Sequence, residues 1–108
     1  MVPLQRIEGW AVQVLETHIE TKVCYDAKAK LGIRSIKLTP AGQTGYQDRL
    51  FFIPGGRPLL IEFKRGNEEP EPKQEYLREE LIDLGYNVKV CNNYDDAMEA
   101  IHKALEAA

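Results

Sequence analysis

DRLFFIPGGRPLLIEFK, residues 48–64, is the segment from which the architecture of this chain can be built. It holds two apolar runs, 50–53 and 59–63, on either side of a Pro-Gly-Gly-Arg segment. Apolar runs that flank a Pro/Gly cluster predict a β-hairpin. Asp48 and Glu62 are nearly symmetric about the turn, so the hairpin brings them opposite each other. Because such partners have Cβ atoms about 4.5–5.5 Å apart, the segment predicts neighbouring carboxylates at one end of a sheet.

Lys64 adds an ammonium group to this pair of acids. It lies two residues after Glu62, and side chains alternate between the faces of a strand, so the two share one face. Two close carboxylates repel each other unless a cation lies between them, and oxygen ligands suit Mg²⁺ or Mn²⁺. With the ammonium to stabilise charge on an attacked phosphate, Asp48, Glu62 and Lys64 predict hydrolysis of a phosphodiester. The alternative is an ordinary structural ion pair.

The rest of the chain predicts a mixed α/β fold with the order α-β-β-β-α-β-α. The hairpin is preceded by a helix and a strand and followed by a helix, a strand and a last helix, over residues 4–31, 33–39, 73–84, 86–91 and 94–105. Asn93 is expected to cap the last helix, and Gly32 to end the first. The strands of the hairpin are apolar on both faces, so helices should cover both sides of the sheet.

The two later helices each show apolar residues at helical spacing. These residues are Tyr76, Leu77, Leu81 and Leu84 in the first of the two, and Ala97, Met98, Ile101 and Leu105 in the second. The length of 108 residues fits one domain, 1–108.

Composition favours a cytoplasmic protein with no membrane partner. Hydrophobic residues make up 44% and charged residues 29% of the chain, as in an ordinary soluble protein. No apolar run approaches the roughly 18 residues of a membrane span, and residues 1–6 do not form a secretory signal. Cys24 and Cys91 lack the spacing of a metal site or a disulfide framework, so we expect free thiols in a reducing compartment.

Charge is distributed unevenly along the chain, although the net charge is only −3. Residues 34–65 contain six basic and two acidic side chains, whereas residues 66–83 contain seven acidic and two basic ones. The basic centre is expected to face nucleic acid and the acidic segment to face away. The alternative is that both blocks are merely solvated.

Several motifs in order resemble the virus-type replication-repair nuclease (VRR-NUC) domain. They are Gly45-Tyr-Gln-Asp48, the Pro54-Gly55-Gly56 turn, Ile61-Glu62-Phe63-Lys64, Gln74 at a helix start, and Leu84-Gly85-Tyr-Asn-Val88. The resemblance extends from about Glu16 to Ile101. It implies the restriction-endonuclease-like αβββαβ core of the PD-(D/E)xK superfamily, with a four-stranded mixed sheet flanked by helices, here followed by a C-terminal helix.

The resemblance implies a metal-dependent, structure-specific DNA endonuclease with a role in DNA repair and no organic cofactor. Asp48, Glu62 and the Phe63 carbonyl would bind Mg²⁺ or Mn²⁺, with Lys64 and Gln74 as further catalytic residues. A helical glutamate completes the site of the family and falls on Glu16, with Glu20 as the alternative. Gln47 stands where the family usually has proline, which affects the shape of the loop rather than the chemistry.

Branched or Holliday-junction DNA is the substrate that the resemblance implies, and the chain would act as a homodimer. Lys37, Arg49 and Arg65 are candidates for contacts with the DNA backbone. Two other classes stay open, namely a catalytically inactive nucleic-acid-binding module of the same fold and a small scaffold protein. A virus-encoded protein acting in its host cell is compatible with the cytoplasmic assignment.

Overall fold

The computed structural model describes residues 11–38, 48–64 and 72–108, without the side chains of 11–18, 48, 73 and 74. The elements are α1 (Ala11–Leu31), β1 (Ser35–Leu38), β2 (Asp48–Phe51), β3 (Leu59–Phe63), α2 (Pro72–Asp83), β4 (Asn87–Cys91) and α3 (Tyr94–Ala107). This order confirms the predicted α/β architecture. The predicted first turns of α1, at 4–10, and the last residue of the first strand, Thr39, lie outside the described residues. The assignment of 1–108 to one domain stays a prediction.

The four strands form one mixed sheet in the order β1-β2-β3-β4. The first two pairings are antiparallel, and β3 pairs with β4 in parallel. A parallel partner needs a crossover connection, and α2 lies in that connection between β3 and β4. The sequence order and the sheet order therefore agree strand by strand.

The connection between β2 and β3 is longer than predicted. β2 ends at Phe51 rather than Ile53, and β3 begins at Leu59. Gly55 and Gly56 have φ angles of +89° and +71°, a region that glycine enters without the steric cost that a Cβ brings. The glycines therefore allow the reversal, and the symmetry of the flanking strands about them sets the register.

One face of the sheet carries the hydrophobic core. Residues at every second position of β2 and β3 point into it, together with Cys91 of β4. Helices α1 and α3 cover this face. The buried apolar residues of the core are Val23, Ala27, Ile33, Phe51, Ile53, Leu59, Ile61, Phe63, Cys91, Ala97, Met98 and Ile101. The predicted inward face of α3 is thus confirmed at three positions, and Leu105 packs against the core while partly exposed.

The opposite face of the sheet is covered only in part, contrary to the expectation of full cover. Helix α2 lies against β4 on this side. Ile36, Phe52 and Val90 keep 47%, 51% and 41% of their surface exposed. The apolar residues of α2 do not form a core either, since Leu77 is 47% exposed and Leu81 is half-buried. One helix beside the last strand is too narrow to shield all four strands.

Both predicted helix boundaries next to the core are confirmed. The backbone N–H groups of Gly32 and Ile33 donate to the Lys28 and Ala27 carbonyls at 3.0 Å each, which closes the end of α1. At the start of α3, Asn93 Oδ1 accepts from the Asp96 backbone N–H at 2.8 Å. Among the described residues, no helix combines the length and the apolar character needed to cross a lipid bilayer.

Candidate functional site

The two predicted acids are direct partners in the sheet. The β2–β3 register pairs Asp48 with Glu62 and Arg49 with Ile61. Because residues that face each other in an antiparallel pair share one face, the backbone places positions 48 and 62 together on the face opposite the hydrophobic core. The side chain of Asp48 lies outside the described part of the structure. The geometric expectation is therefore confirmed for the backbone.

Glu62 lies in a buried position between two cations. Its side chain is 10% exposed, and its Oε1 lies 3.7 Å from Lys64 Nζ. Its Oε2 lies 3.6 Å from Arg78 Nη1 of α2. Both distances exceed the roughly 2.7–2.9 Å of a charge-assisted hydrogen bond. Within the described residues, Glu62 Oε2 is buried and has no hydrogen-bond partner.

An unsatisfied carboxylate oxygen at this depth is unusual, because buried polar atoms normally have a partner. The oxygen keeps its lone pairs for a ligand, and its hard anionic character suits a divalent cation such as Mg²⁺ or Mn²⁺. The side chains described in 19–38, 49–64 and 75–108 contain no cluster of three metal-type ligands. The predicted ligand set is Glu62, Asp48 and the Phe63 backbone carbonyl. The side chain of Asp48 lies outside the described residues, so the absence of a cluster does not extend to this set.

Arg78 is the residue of this site that the sequence does not single out. It lies in the acidic segment 66–83, which the charge distribution predicts to face away from nucleic acid, yet its side chain reaches Glu62 and is only 18% exposed. Helix α2 therefore borders the site. One signal was available: Arg78 follows the predicted site residue Gln74 by four positions, and residues four apart share a helix face.

A second buried acid, Glu20 of α1, lies on the core side of the sheet. Arg49 Nε donates to Glu20 Oε2 at 2.7 Å, and Lys37 Nζ lies 3.7 Å from the same oxygen. Lys37 and Arg49 are partners in the β1–β2 register, so both reach the α1 side. The sheet therefore separates Glu20 from Glu62.

The remaining predicted residues are placed to different degrees. Lys37 and Arg49 have Glu20 as their partner, and their contact with DNA stays a prediction. Phe63 ends β3 with its side chain in the core. The side chains of Glu16 and Gln74, and the whole of Arg65, lie outside the described residues. Their roles stay predictions.

Both cysteines are free thiols, as expected. Burial raises the pKa of the Cys91 thiol to about 11, with a further contribution from the nearby Asp96 carboxylate. Burial also raises the pKa of the half-buried Cys24 thiol. Neither group is therefore a ready nucleophile at neutral pH.

Comparison with known proteins finds a nuclease relative and a solved structure of similar fold. The phage protein “Putative nuclease p44” of Acyrthosiphon pisum secondary endosymbiont phage 1 is 31% identical to this chain over 81 residues. The matched region covers 75% of this chain and 82% of the phage protein. A solved structure named “VRR_NUC domain” superposes with a TM-score of 0.65 at 26% identity, over 81% of this chain and 95% of that one. No family model matches the sequence.

Proposed function

The chain belongs to the VRR-NUC family of nuclease domains, and we propose that it is a Mg²⁺- or Mn²⁺-dependent endonuclease that cuts branched DNA such as Holliday junctions. The observation that carries the proposal is the state of Glu62. Its carboxylate is buried on the less covered face of the sheet, opposite Asp48, and keeps one oxygen without a hydrogen-bond partner among the described residues.

The donor set fits a hard divalent cation. Asp48 and Glu62 would hold it through carboxylate oxygens, with the Phe63 carbonyl as a further ligand. When bound, such a cation supplies Lewis-acid activation of a phosphoryl group and of a water nucleophile. Glu62 would position the cation between the two strands. The helical glutamate that the resemblance assigns to Glu16 belongs to α1, which lies on the core side of the sheet with Glu20, so the proposed metal site does not depend on it.

Lys64 would stabilise the charge that develops on the attacked phosphate. Its ammonium group is held on the same face as the Glu62 carboxylate, 3.7 Å from Oε1 and only 11% exposed. A charge fixed in a partly dry site is worth more than the same charge in water. Gln74, at the start of α2, would orient the phosphate or the water through its amide.

DNA is the polymer that fits a phosphodiester-cleaving site next to a basic centre. Residues 34–65 supply the positive charge. Arg65, which follows Lys64 in the chain, is the proposed backbone contact beside the site, and Lys37 and Arg49, which pair with Glu20 on the α1 side of the sheet, are proposed contacts away from it. A phage-encoded relative and two free thiols support a virus-encoded protein that acts in the cytoplasm of its host and contributes to DNA repair or replication.

Glu62→Gln tests the proposal. We expect wild-type protein to cut nicked, flap or four-way-junction DNA when Mn²⁺ is added. The variant should lose roughly 10²–10⁴-fold in cleavage rate, because it removes the anionic ligand, and it should still bind the same DNA. Cleavage is measured on end-labelled substrates, and binding by fluorescence anisotropy.

Glu99→Gln is the matched control for this experiment. Glu99 is an exposed glutamate of α3, paired with Lys103 at 3.0 Å, and its replacement makes the same chemical change outside the site. It should leave cleavage and binding unchanged. Wild-type protein that binds every branched DNA and cuts none with Mn²⁺ would instead support the inactive binding module, and failure to bind would support the scaffold.

A homodimer completes the proposal. Symmetric cutting of the two strands of a junction needs two sites related by a two-fold axis. The described surface also has large apolar side chains that a second copy could cover, on α2 and β4 and between them. These are Leu77, Ile82, Leu84, Tyr86 and Val90, each at least 41% exposed.

A further inference from the structure

We propose that Arg78 is an internal counter-ion of Glu62, which a divalent cation displaces, and that the released guanidinium then binds the DNA phosphate. This inference rests on the proposed function, because it concerns the same site. It assigns a role to a residue of α2 that lies outside the predicted ligand set.

Arg78 supplies part of the compensating charge that the buried Glu62 carboxylate needs. A buried carboxylate needs compensating charge, and Arg78 and Lys64 approach its two oxygens from different elements, at 3.6 and 3.7 Å. Lys64 directly follows β3, two residues after Glu62, whereas Arg78 reaches across from α2. Lys64 therefore lies near Oε1 of the Glu62 carboxylate, and Arg78 lies near Oε2.

The same oxygen is the one available to a metal ion. Mg²⁺ binds oxygen ligands at about 2.0–2.1 Å, so an ion on Oε2 would lie close to the Arg78 guanidinium. Like charges at that distance repel strongly in a partly buried site. No hydrogen bond joins Arg78 to Glu62 Oε2, so the Arg78 side chain can move away from this oxygen without breaking a hydrogen bond to it. Exchange is therefore favoured over simultaneous binding.

The displaced guanidinium has an obvious partner in a nuclease. Its planar set of donors matches two phosphate oxygens, which the single ammonium of a lysine cannot do. Anchored on α2 beside Glu62, it would stay near the scissile phosphate. Metal loading would thus switch Arg78 from a protein carboxylate to the substrate.

Metal affinity tests the exchange without reference to activity. Isothermal titration with Mn²⁺ should show binding on the order of tenfold tighter in Arg78→Gln than in wild-type protein, which corresponds to removal of about 1.4 kcal/mol of competition. Saturating Mn²⁺ should also raise the melting temperature of the variant by more than that of wild-type protein.

Arg57→Gln controls for the loss of one positive charge. The Arg57 guanidinium is exposed and donates to the Ala107 carbonyl at 3.2 Å, so its replacement changes net charge equally without touching Glu62. It should leave Mn²⁺ affinity unchanged. Arg78→Lys keeps the charge and should bind Mn²⁺ with an affinity between those of wild-type protein and Arg78→Gln, which also guards against a folding defect.

DNA binding supplies the second readout. With Ca²⁺ present, Arg78→Gln should weaken binding of a four-way junction by about tenfold, whereas with EDTA the effect should be small, because Glu62 then holds the arginine. Equal or weaker Mn²⁺ affinity in Arg78→Gln, or equal loss of DNA affinity in Ca²⁺ and EDTA, would overturn the exchange. Absence of Mn²⁺ binding by wild-type protein would instead overturn the proposed function itself.

Discussion

Glu20 and Glu62 are both buried glutamates, yet their surroundings give them different capacities. Glu20 Oε2 accepts a hydrogen bond from Arg49 at 2.7 Å, a short charge-assisted contact. Glu62 Oε2 has only the Arg78 cation nearby, at 3.6 Å, and no hydrogen bond within the described residues. The first carboxylate is already satisfied by protein, and the second can accept a ligand. This difference is the reason that Glu62, rather than Glu20, is the proposed metal ligand.

The thiol of Cys91 gives a prediction at the scale of one residue. With a pKa of about 11, roughly one thiol in a thousand is ionised at pH 8, and the side chain is 5% exposed. In a Cys24→Ser variant, which leaves Cys91 alone, native protein at pH 8 should not react with a disulfide reagent within minutes. One equivalent should react in denaturant. Rapid reaction of native protein would contradict the burial of this thiol.

Residues related by the hairpin could be predicted from sequence, and residues related by packing could not. Asp48 and Glu62 lie almost symmetrically about the twin glycines, so their pairing follows from counting along the chain. The approach of Arg78 to Glu62 depends on how α2 crosses the sheet, which no local pattern specifies. The pairing of Glu20 with Arg49 depends in the same way on the position of α1.

At the scale of elements, Glu20 fastens α1 to the edge of the sheet. Its carboxylate is 4% exposed and contacts cations from both β1 and β2. Glu20→Gln should lower the free energy of unfolding by about 1–3 kcal/mol, since Arg49 loses a charged partner in a partly buried position. Chemical denaturation followed by circular dichroism measures the change.

Lys37→Gln separates the two contacts of Glu20. The Lys37 side chain is 47% exposed and 3.7 Å away, so its loss should cost less than about 0.5 kcal/mol. A larger loss in Lys37→Gln than in Glu20→Gln would show that Arg49 is not the main partner.

Tyr94 and Asp26 connect α3 to α1 and give the fold a pH dependence. The Tyr94 hydroxyl donates to Asp26 Oδ2 at 2.6 Å. This bond, with smaller contributions from Lys30 and Lys22, holds the pKa of the Asp26 carboxyl below its ordinary value. A depressed carboxyl pKa stabilises the fold above the unfolded-state pKa of about 4, and this contribution is lost as the pH falls further.

Tyr94→Phe should therefore lower the melting temperature at pH 7 by a few degrees and by less at pH 3. Thermal melts across this range measure the difference. Tyr25→Phe is the control, because Tyr25 lies on α1 and is 72% exposed. An equal effect of Tyr94→Phe at both pH values would mean that the carboxylate does not depend on this hydroxyl.

The type and order of the elements followed from periodicity and turn residues, whereas their coverage of the sheet did not. Apolar runs on either side of a Pro/Gly turn predicted the hairpin, and Asn93 and Gly32 predicted helix boundaries. The apolar positions of the predicted helix 73–84 suggested a packed face, but Leu77 is 47% exposed and Leu84, just after α2, is 68% exposed. A periodic apolar stripe shows that a helix has an apolar face to bury, but it does not identify the surface that covers that face.

For the whole molecule, the exposed apolar side chains around α2 bear on assembly. Light scattering should give twice the chain mass of 12.3 kDa at micromolar concentration. Leu84→Glu should shift the protein toward the monomer, whereas Tyr25→Glu, at an exposed site on α1, should not. A monomer mass for wild-type protein would remove the homodimer from the proposal.

The parallel pairing of β3 with β4 has a consequence for how the chain folds. Residues 52–58 alone separate β2 from β3, but β4 joins β3 only after the chain has passed through residues 64–86. Closing a short loop costs less entropy than closing a long one, so we expect the hairpin to form before the last strand docks. The two acidic positions would then meet before α2 brings Arg78 to the sheet. At that stage of folding, only Lys64 or dissolved cations would offset the repulsion between the two carboxylates.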